Sequence, residues 1–292
     1  MLERLRLPVI MAPMFLVSGP DLVVAGCRAG VLGTFPALNQ RTTEGYDAWL
    51  AEIGERLADQ PAPYGVNLVV HRDNARLKAD LAVTVKHKVP LVITSLGLDP
   101  ELIAAIQSYG GKVFHDVTTA RHGEKAAQAG VDGLIAVCAG AGGHAGTLSP
   151  FALVPEIRRF FAGTIVLGGA ISTGRHVAAA RLIGADAAYV GTRFIATRES
   201  LASEPYKQML VQSASGDIVY TQAVSGMPAN FLKPSILAAG LDPAGKRGEI
   251  DIGAGEAKAW RDVWSAGQGV GAISDIPTMA ELVDRLAADY SA

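Results

Sequence analysis

The chain has 292 residues, long enough for one α/β barrel or for two domains of ordinary size. A hydrophobic content of 49% and a charged content of 18% are typical of a globular protein with much buried strand. The net charge of −2 gives no electrostatic reason to expect nucleic acid or an anionic membrane as a partner. Two cysteines, Cys27 and Cys138, are too few for a disulfide framework and favour a reducing compartment.

Residues 1–14 contain arginines but neither a long apolar core nor a small-residue cleavage site, so they do not predict a signal peptide. No run of about twenty apolar residues predicts a transmembrane helix. We therefore expect a cytoplasmic protein that acts on small molecules.

Apolar runs of strand length alternate with amphipathic stretches from residue 8 to residue 191. The predicted strands are Pro8–Met14, Val31–Phe35, Tyr64–Val69, Leu91–Thr94, Lys112–Val117, Gly133–Val137, Ile165–Gly168 and Ala187–Gly191. The predicted helices between them are Pro20–Ala29, Glu44–Leu57, Asn74–Lys86, Pro100–Tyr109, Thr119–Ala129, Pro150–Phe161 and Thr173–Ile183. This alternation is typical of parallel βαβ units. Eight units of roughly 25 residues predict an α/β protein with a (β/α)8 TIM barrel rather than an open doubly wound sheet.

The remainder of the chain is less regular. The pattern predicts a helix over Pro205–Ser213, a strand over Ile218–Ala223 and a proline-broken loop over Ser225–Ser235. A short amphipathic helix is predicted at Thr278–Tyr290.

The stretch Gly133–Pro150 combines a predicted strand, a glycine-rich loop and a helix start. The loop contains four glycines around a single histidine, His144, and Ser149-Pro150 is a good N-cap followed by a good first helical residue. Glycines at this density allow close approach of the backbone to a ligand, or they simply form a flexible turn.

Active sites in (β/α)8 barrels lie at the C-terminal ends of the strands. Chemically unusual residues occur at those predicted ends: Ala12-Pro13-Met14, Asn67, Thr94-Ser95, His115-Asp116, Gly140–His144, Gly168-Gly169 and Gly191-Thr192. Glycines after both the seventh and the eighth strand favour a phosphate site over simple tight turns, because small residues expose backbone N–H groups beside helix N-termini.

Five short segments, taken in order, resemble the nitronate monooxygenases, formerly called 2-nitropropane dioxygenases. They are VIMAPM, GVNL, GAGGHAG, GGAIS and GTRF, and the resemblance covers about residues 6–198 and resumes at Trp264–Gly271. It implies an FMN-binding barrel over residues 1–198, a smaller, mainly helical insertion over the barrel mouth at 199–262, and a segment at 263–292 that returns to the barrel.

The resemblance also implies which residues hold FMN. The phosphate is expected at Gly168, Gly169, Gly191 and Thr192. The ring is expected against Ala12, Pro13, Met14 and Asn67, with Gly143 also in the cofactor site and Ser265, Gly267 and Gln268 closing over it. Met227 and Phe231 are expected either to line the substrate pocket or to seal the insertion against the barrel.

The implied reaction is oxidation of alkyl nitronates, and of neutral nitroalkanes, by O2 to a carbonyl compound and nitrite. The α-carbon of a nitroalkane is acidic, and a histidine titrates near neutrality. We therefore assign His144 as the catalytic base or, in its charged form, as an anchor for the nitronate.

Other candidate residues carry less weight. His115 and Asp116 end the fifth strand and would contact flavin or substrate, and some relatives have lysine where Asp116 stands. His122 and His176 are interpreted as solvated helix residues, and Cys138 as a small buried residue rather than a nucleophile. No metal-ligand spacing is present, so no metal is predicted, and GAGGHAG lacks the features of a dinucleotide fingerprint.

Two other functions remain open from the sequence. One is an FMN-dependent NAD(P)H:quinone reductase or enoyl-acyl carrier protein reductase on the same scaffold. The other is a non-catalytic flavin-binding protein. The sequence does not indicate an oligomeric state.

Overall fold

The computed structural model describes residues 1–59, 63–245 and 263–292. Eight parallel strands form one sheet: β1 (Val9–Met11), β2 (Thr34–Pro36), β3 (Gly65–Val69), β4 (Leu91–Ser95), β5 (Lys112–Val117), β6 (Gly133–Val137), β8 (Thr164–Gly168) and β9 (Ala187–Val190), with the short β7 (Gly143–His144) lying between β6 and β8 in the chain. Their order is β1-β9-β8-β6-β5-β4-β3-β2, and a parallel bridge between Ile10 and Leu32 joins the two ends. The predicted TIM barrel is confirmed.

Helices cover the outside of the barrel. They are α1 (Pro20–Ala29), α2 (Thr43–Arg56), α3 (Leu77–Lys86), α4 (Pro100–Gln107), α5 (Ala120–Gln128), α6 (Pro150–Arg158) and α7 (Gly174–Leu182). Most starts are fixed by side-chain caps: Thr42, Asp99, Thr119, Ser149 and Thr173 each accept a hydrogen bond from a first-turn backbone N–H. The helix boundaries therefore follow local chemistry that the sequence carries.

Strand residues alternate between two cores. Residues such as Ile10, Ile93 and Phe114 fill the barrel interior, while Val113 and Val117 pack outward against the helices. At the C-terminal ends of the strands the interior positions change from apolar to small and polar residues. This change creates the floor of an open cavity.

Directly after β9 the chain forms the short helix α8 (Thr192–Ile195). The predicted insertion, residues 199–262, contains α9 (Glu204–Gln212), β10 (Ile218–Thr221), β11 (Ala229–Leu232) and α10 (Lys233–Ala238) in its described part. Strands β10 and β11 are antiparallel, and β11 also pairs with β7. The predicted loop over Ser225–Ser235 is thus wrong, because β11 and the start of α10 lie in it. Residues 246–262 of the predicted insertion lie outside the described residues.

The C-terminal helix α11 (Met279–Tyr290) packs against α1 and α7. Thr278 and Glu281 form a capping box at its start. The buried guanidinium of Arg193 reaches the carboxylate of Asp275 at 3.2 Å and so attaches the chain before α11 to the barrel. Among the described residues, no helix combines the length and the apolar character needed to cross a membrane.

Candidate active site

A cavity of about 1680 Å³ opens at the C-terminal ends of the barrel strands. It exceeds the roughly 300–1,000 Å³ of an ordinary ligand pocket, which leaves room for a cofactor and a substrate together. Most of the predicted site residues line it: Ala12, Pro13, Met14, Asn67, Gly143, His144, Gly168, Gly169, Gly191, Thr192, Met227, Ser265 and Gly267. The structure therefore brings together residues from both ends of the chain, from Ala12 to Gly267.

Two predicted residues do not line this cavity. Phe231 is fully buried in the core of the insertion with Ala229, Ile236 and Val263. Gln268 is exposed, and its backbone N–H donates to Gly140 O at 2.9 Å. For Phe231 the alternative interpretation fits, since a side chain on the inner face of β11 seals the insertion rather than meeting a substrate.

The loop after β8 contains a buried hydroxyl group that makes no hydrogen bond to the described residues. Ser172 Oγ is buried and has no hydrogen-bond partner among the described residues, although Ser172 N donates to His176 Nδ1 at 3.2 Å. Gly169 adopts φ +148°, and a Cβ there would lie 2.9 Å from Ala139 O. The hydroxyl lies just before the N-terminus of α7, where an anion is favoured.

The loop after β9 leaves open space beside the same cavity. A Cβ on Gly191 would meet nothing closer than Ala12 Cβ at 3.5 Å and Met14 Sδ at 3.7 Å. A side chain at this position would therefore project into the cavity without a clash with the protein. With the free hydroxyl of Ser172, this space fits a phosphate group, because it offers a donor and a site that only glycine keeps empty.

The glycine-rich loop is held by the tail segment, residues 264–271. A Cβ on Gly142 would lie 2.9 Å from Gly267 N, and a Cβ on Gly267 would lie 2.5 Å from Gly140 O. The two backbones thus approach each other as closely as glycine allows. Asn230 Nδ2 adds a hydrogen bond to Ala141 O at 2.7 Å. Gly140 and Gly142 thus allow the loop to pack backbone to backbone against the tail segment, and close approach of the loop to a ligand stays a prediction.

His144 lies on β7, beside Ala229 of β11, and faces the cavity. Burial lowers the pKa of His144 from its ordinary 6.5 to about 4. The imidazole is therefore neutral near neutral pH, so it is free to accept a proton or a hydrogen bond but does not carry a permanent positive charge, and its basicity is reduced.

Three polar side chains form what we call the floor network: Asn67, Ser95 and Asp116. They occupy interior positions of the adjacent strands β3, β4 and β5. Asn67 Nδ2 donates to Ser95 Oγ at 2.7 Å, and Ser95 Oγ donates to Asp116 Oδ2 at 2.6 Å. Burial raises the pKa of Asp116 to about 6, although the hydrogen bond from Ser95 opposes that rise.

His115 and Asp116 are adjacent on β5, so their side chains lie on opposite faces of the strand, and both residues border the cavity. His115 is buried, and its Nδ1 lies 2.8 Å from Thr94 Oγ1, while burial lowers its pKa to about 4. Strict alternation along β5, with Phe114 inside and Val117 outside, would have separated them.

The burial or exposure of the remaining candidate residues indicates their roles. Cys138 is fully buried, as predicted, and burial raises the pKa of its thiol to about 12, which disfavours the thiolate that a nucleophile needs. His122 and His176 are exposed as predicted, but His122 also borders the cavity together with Lys125. Within residues 1–59, 63–245 and 263–292, no three potential ligands cluster as a metal site.

The space between Ser172 Oγ and Gly191 fits an anion, and we call it the anion cradle. It lies with His144 and the floor network at the mouth of the closed parallel barrel where barrel enzymes have their active sites. The chain belongs to the nitronate monooxygenase family, whose model matches residues 2–289.

Individual relatives and structural neighbours carry names of several enzymes. A nitronate monooxygenase of Paraburkholderia phytofirmans is 29% identical over 284 residues, with 81% of this chain and 76% of that protein covered. A (3aS,4S,5R,7aS)-5-hydroxy-7a-methyl-1-oxo-octahydro-1H-indene-4-carboxyl-CoA dehydrogenase of Mycobacterium tuberculosis is 30% identical over 79% of this chain, which spans 64% of that relative's length. Among solved structures, nitroalkane oxidase of Streptomyces ansochromogenes has a TM-score of 0.87 at 27% identity, with 99% and 97% of the two chains covered. FabK of Thermotoga maritima has a TM-score of 0.83 at 25% identity, with 99% and 94% covered.

Proposed function

We propose that the protein binds FMN and oxidises alkyl nitronates with O2 to a carbonyl compound and nitrite. The observation that carries this proposal is that His144, neutral and facing the cavity, shares one barrel mouth with the anion cradle at Ser172 and Gly191. The family of the chain supports the same reaction class.

The residues present fit FMN rather than a larger flavin. Ser172, Gly169 and Gly191 would hold one phosphate group, and the cavity continues past Ala12 and Met14 toward the floor network. When bound, FMN supplies the redox chemistry, accepting an electron from the organic substrate. Mass spectrometry of the released flavin tests this assignment, and FAD, or no flavin after reconstitution, would contradict it.

The chain itself provides binding, orientation and proton transfer. Neutral His144 accepts the α-proton of a nitroalkane at a ring nitrogen, and the resulting charge pair offsets the loss of hydration at a buried site. With a preformed nitronate no proton has to be removed, so His144 then acts by hydrogen bonding. Met227 and the tail segment border the same space, where they would shield a bound substrate from water.

An NAD(P)H-dependent reductase is a second candidate, because FabK covers nearly the whole chain at a TM-score of 0.83. A cavity of about 1680 Å³ also admits a larger substrate than a nitronate. A protein that binds flavin without turnover is the third outcome.

Anaerobic stopped-flow measurement of flavin reduction separates these functions. Rapid reduction by ethyl nitronate, with slow reduction by NADH and NADPH, supports the monooxygenase. The reverse order supports a quinone or enoyl thioester reductase, and no reduction by any of these compounds indicates a non-catalytic protein. Aerobic release of nitrite from the nitronate completes the test.

A further inference from the structure

The floor network ends in an oxygen atom that the proposed function has not used. Asp116 Oδ2 accepts the hydrogen bond from Ser95, but Asp116 Oδ1 is buried and has no hydrogen-bond partner among the described residues. An unsatisfied buried carboxylate oxygen is costly, because the charge loses its hydration without compensation. Such an atom requires either a proton or a bound group beside it.

The surroundings of Asp116 indicate whether its carboxyl group carries a charge or a proton. Asp116 lies on the interior face of β5 and borders the cavity that would hold FMN. Its two neighbours along the floor are uncharged: Ser95 donates to it, and Asn67 in turn donates to Ser95. A carboxylate in this environment would oppose any negative charge that develops in the cavity above it.

This inference rests on the proposed binding of FMN. We propose that Asp116 takes up a proton when the bound flavin is reduced, so that its charge sets the midpoint potential of the cofactor. Two electrons and one proton enter the flavin, and a second proton passes from solvent to Asp116 Oδ1. In the test the two electrons come from dithionite, whereas in the proposed reaction one electron comes from the organic substrate. The added charge of the cavity is then cancelled by the two protons.

Other titratable groups border the same cavity, on several elements. They are His115 of β5, Tyr189 of β9, His144 of β7, His122 and Lys125 of α5, Tyr206 of α9, Tyr220 of β10, and Arg41 and Arg76, which precede α2 and α3. Burial lowers the pKa of both His115 and His144 to about 4, and burial together with the charge of Asp116 raises the pKa of Tyr189 well above its ordinary value. These three groups therefore keep one form from about pH 5 to about pH 9, where an ordinary carboxyl is fully charged.

The test compares the wild-type holoprotein with Asp116→Asn, which keeps the shape but does not titrate. The midpoint potential of bound FMN is measured from about pH 5 to about pH 9. We expect equal potentials at the acidic end and a higher potential in the variant at the basic end. The expected difference is on the order of tenfold in the equilibrium between oxidised and reduced flavin, which is about 30 mV for a two-electron couple. His122 and Lys125 are common to both proteins, so their titration cancels in the difference.

Two further variants sharpen the measurement. Ser95→Ala removes the hydrogen bond that lowers the pKa of Asp116, so this pKa should be higher in the variant. The midpoint potentials of Ser95→Ala and Asp116→Asn should therefore begin to differ at a higher pH than those of the wild type and Asp116→Asn. Asp132→Asn is a matched control, because Asp132 pairs with Lys112 at the opposite end of the barrel strands. It should leave the potential unchanged at every pH.

Infrared spectroscopy of the wild type gives a second measurement that needs no variant. The reduced-minus-oxidised difference spectrum at about pH 7 should show a new protonated-carboxyl band that shifts when aspartate is labelled with carbon-13. Parallel potential curves for wild type and Asp116→Asn, or the absence of this band, would overturn the proposal. A wild type that binds no FMN overturns the proposed function and this inference together. A pH-dependent separation without nitronate turnover supports the inference and rejects the monooxygenase.

Discussion

The backbone N–H of Gly267 donates a hydrogen bond to Thr192 Oγ1 at 2.9 Å. This bond is buried and joins the tail segment to the first residue of α8, directly after the barrel strand β9. One side chain thus fixes both the loop that forms the anion cradle and the segment that covers the cavity.

Replacement of Thr192 by Val should loosen the tail segment. The buried N–H of Gly267 would lose its acceptor, which costs about 1–3 kcal/mol of the free energy of unfolding. FMN affinity should fall with it, because Ser265 and Gly267 border the cavity. Thr192→Ser keeps the hydroxyl and serves as the matched control. Equal stability and FMN affinity in Thr192→Val and the wild type would contradict this role.

Gly191→Val should abolish FMN binding while the fold persists. The added side chain has open space beside Ala12 and Met14, so it should lower the affinity for FMN without lowering the stability of the protein. Gly169→Val is the contrasting variant, because φ +148° and the nearby Ala139 O should reduce thermal stability as well. The measurements are the FMN dissociation constant and the melting temperature of the FMN-free proteins. An unchanged dissociation constant in Gly191→Val would exclude the cradle.

His144→Asn should lower the activity on a neutral nitroalkane more than the activity on the preformed nitronate. On a neutral nitroalkane, kcat/KM should fall by on the order of 10²–10⁴, because no base remains to remove the α-proton. On the preformed nitronate the loss should be smaller. His122→Asn, at the exposed rim of the same cavity, is the control and should change both values little. Equal and large losses on both forms would make His144 an anion anchor instead.

The pH dependence of His144 has a defined sign. Its pKa of about 4 in the folded protein means that the base form persists as pH falls from neutrality and is lost only near pH 4. The profile of kcat/KM for a neutral nitroalkane should therefore show no inflection near 6.5 from this residue. Such an inflection, if it disappeared in His144→Asn, would contradict the buried, neutral state.

Asp116 should make the FMN-free protein less stable as pH rises. Its folded pKa of about 6 lies above the ordinary 3.8, so the folded state binds more protons than the unfolded state between these values. Stability contributed by the protonated form is complete below pH 3.8 and is lost as pH rises through about 6. Asp116→Asn should thus be more stable than the wild type at about pH 8, by up to about 3 kcal/mol, and the gap should close in acid. Urea unfolding at both pH values measures the gap, and a gap of constant size would refute the assignment.

Much of the barrel could be predicted because its signals are local. The predicted helix Pro20–Ala29 agrees with the structure, since proline stands at its first position and Gly30 ends it at φ 100°. The predicted strands Lys112–Val117 and Gly133–Val137 also agree. Their apolar runs are bounded by turn residues, which specify the ends without tertiary contacts.

The parts that could not be predicted depend on distant partners. Strand β11 forms because Ala229 and Asn230 pair with His144 and Gly143, and a two-residue strand inside a glycine loop gives no periodic signal. The polar floor was missed for a different reason. Asp116 and Ser95 follow the alternation of their strands, but their hydrogen bond becomes visible only when the register of β4 and β5 is known.

The tail segment also sets an order of events during protein synthesis. Every barrel strand, from Val9 to Val190, leaves the ribosome before residues 264–271 are made. The nascent barrel therefore has a mouth with one wall missing, where Ser265, Gly267 and Gly269 will later stand. A cofactor that contacts this wall binds only after the tail segment has been synthesised and has formed its hydrogen bond with Thr192. Cofactor binding is therefore a late step in the folding of the protein.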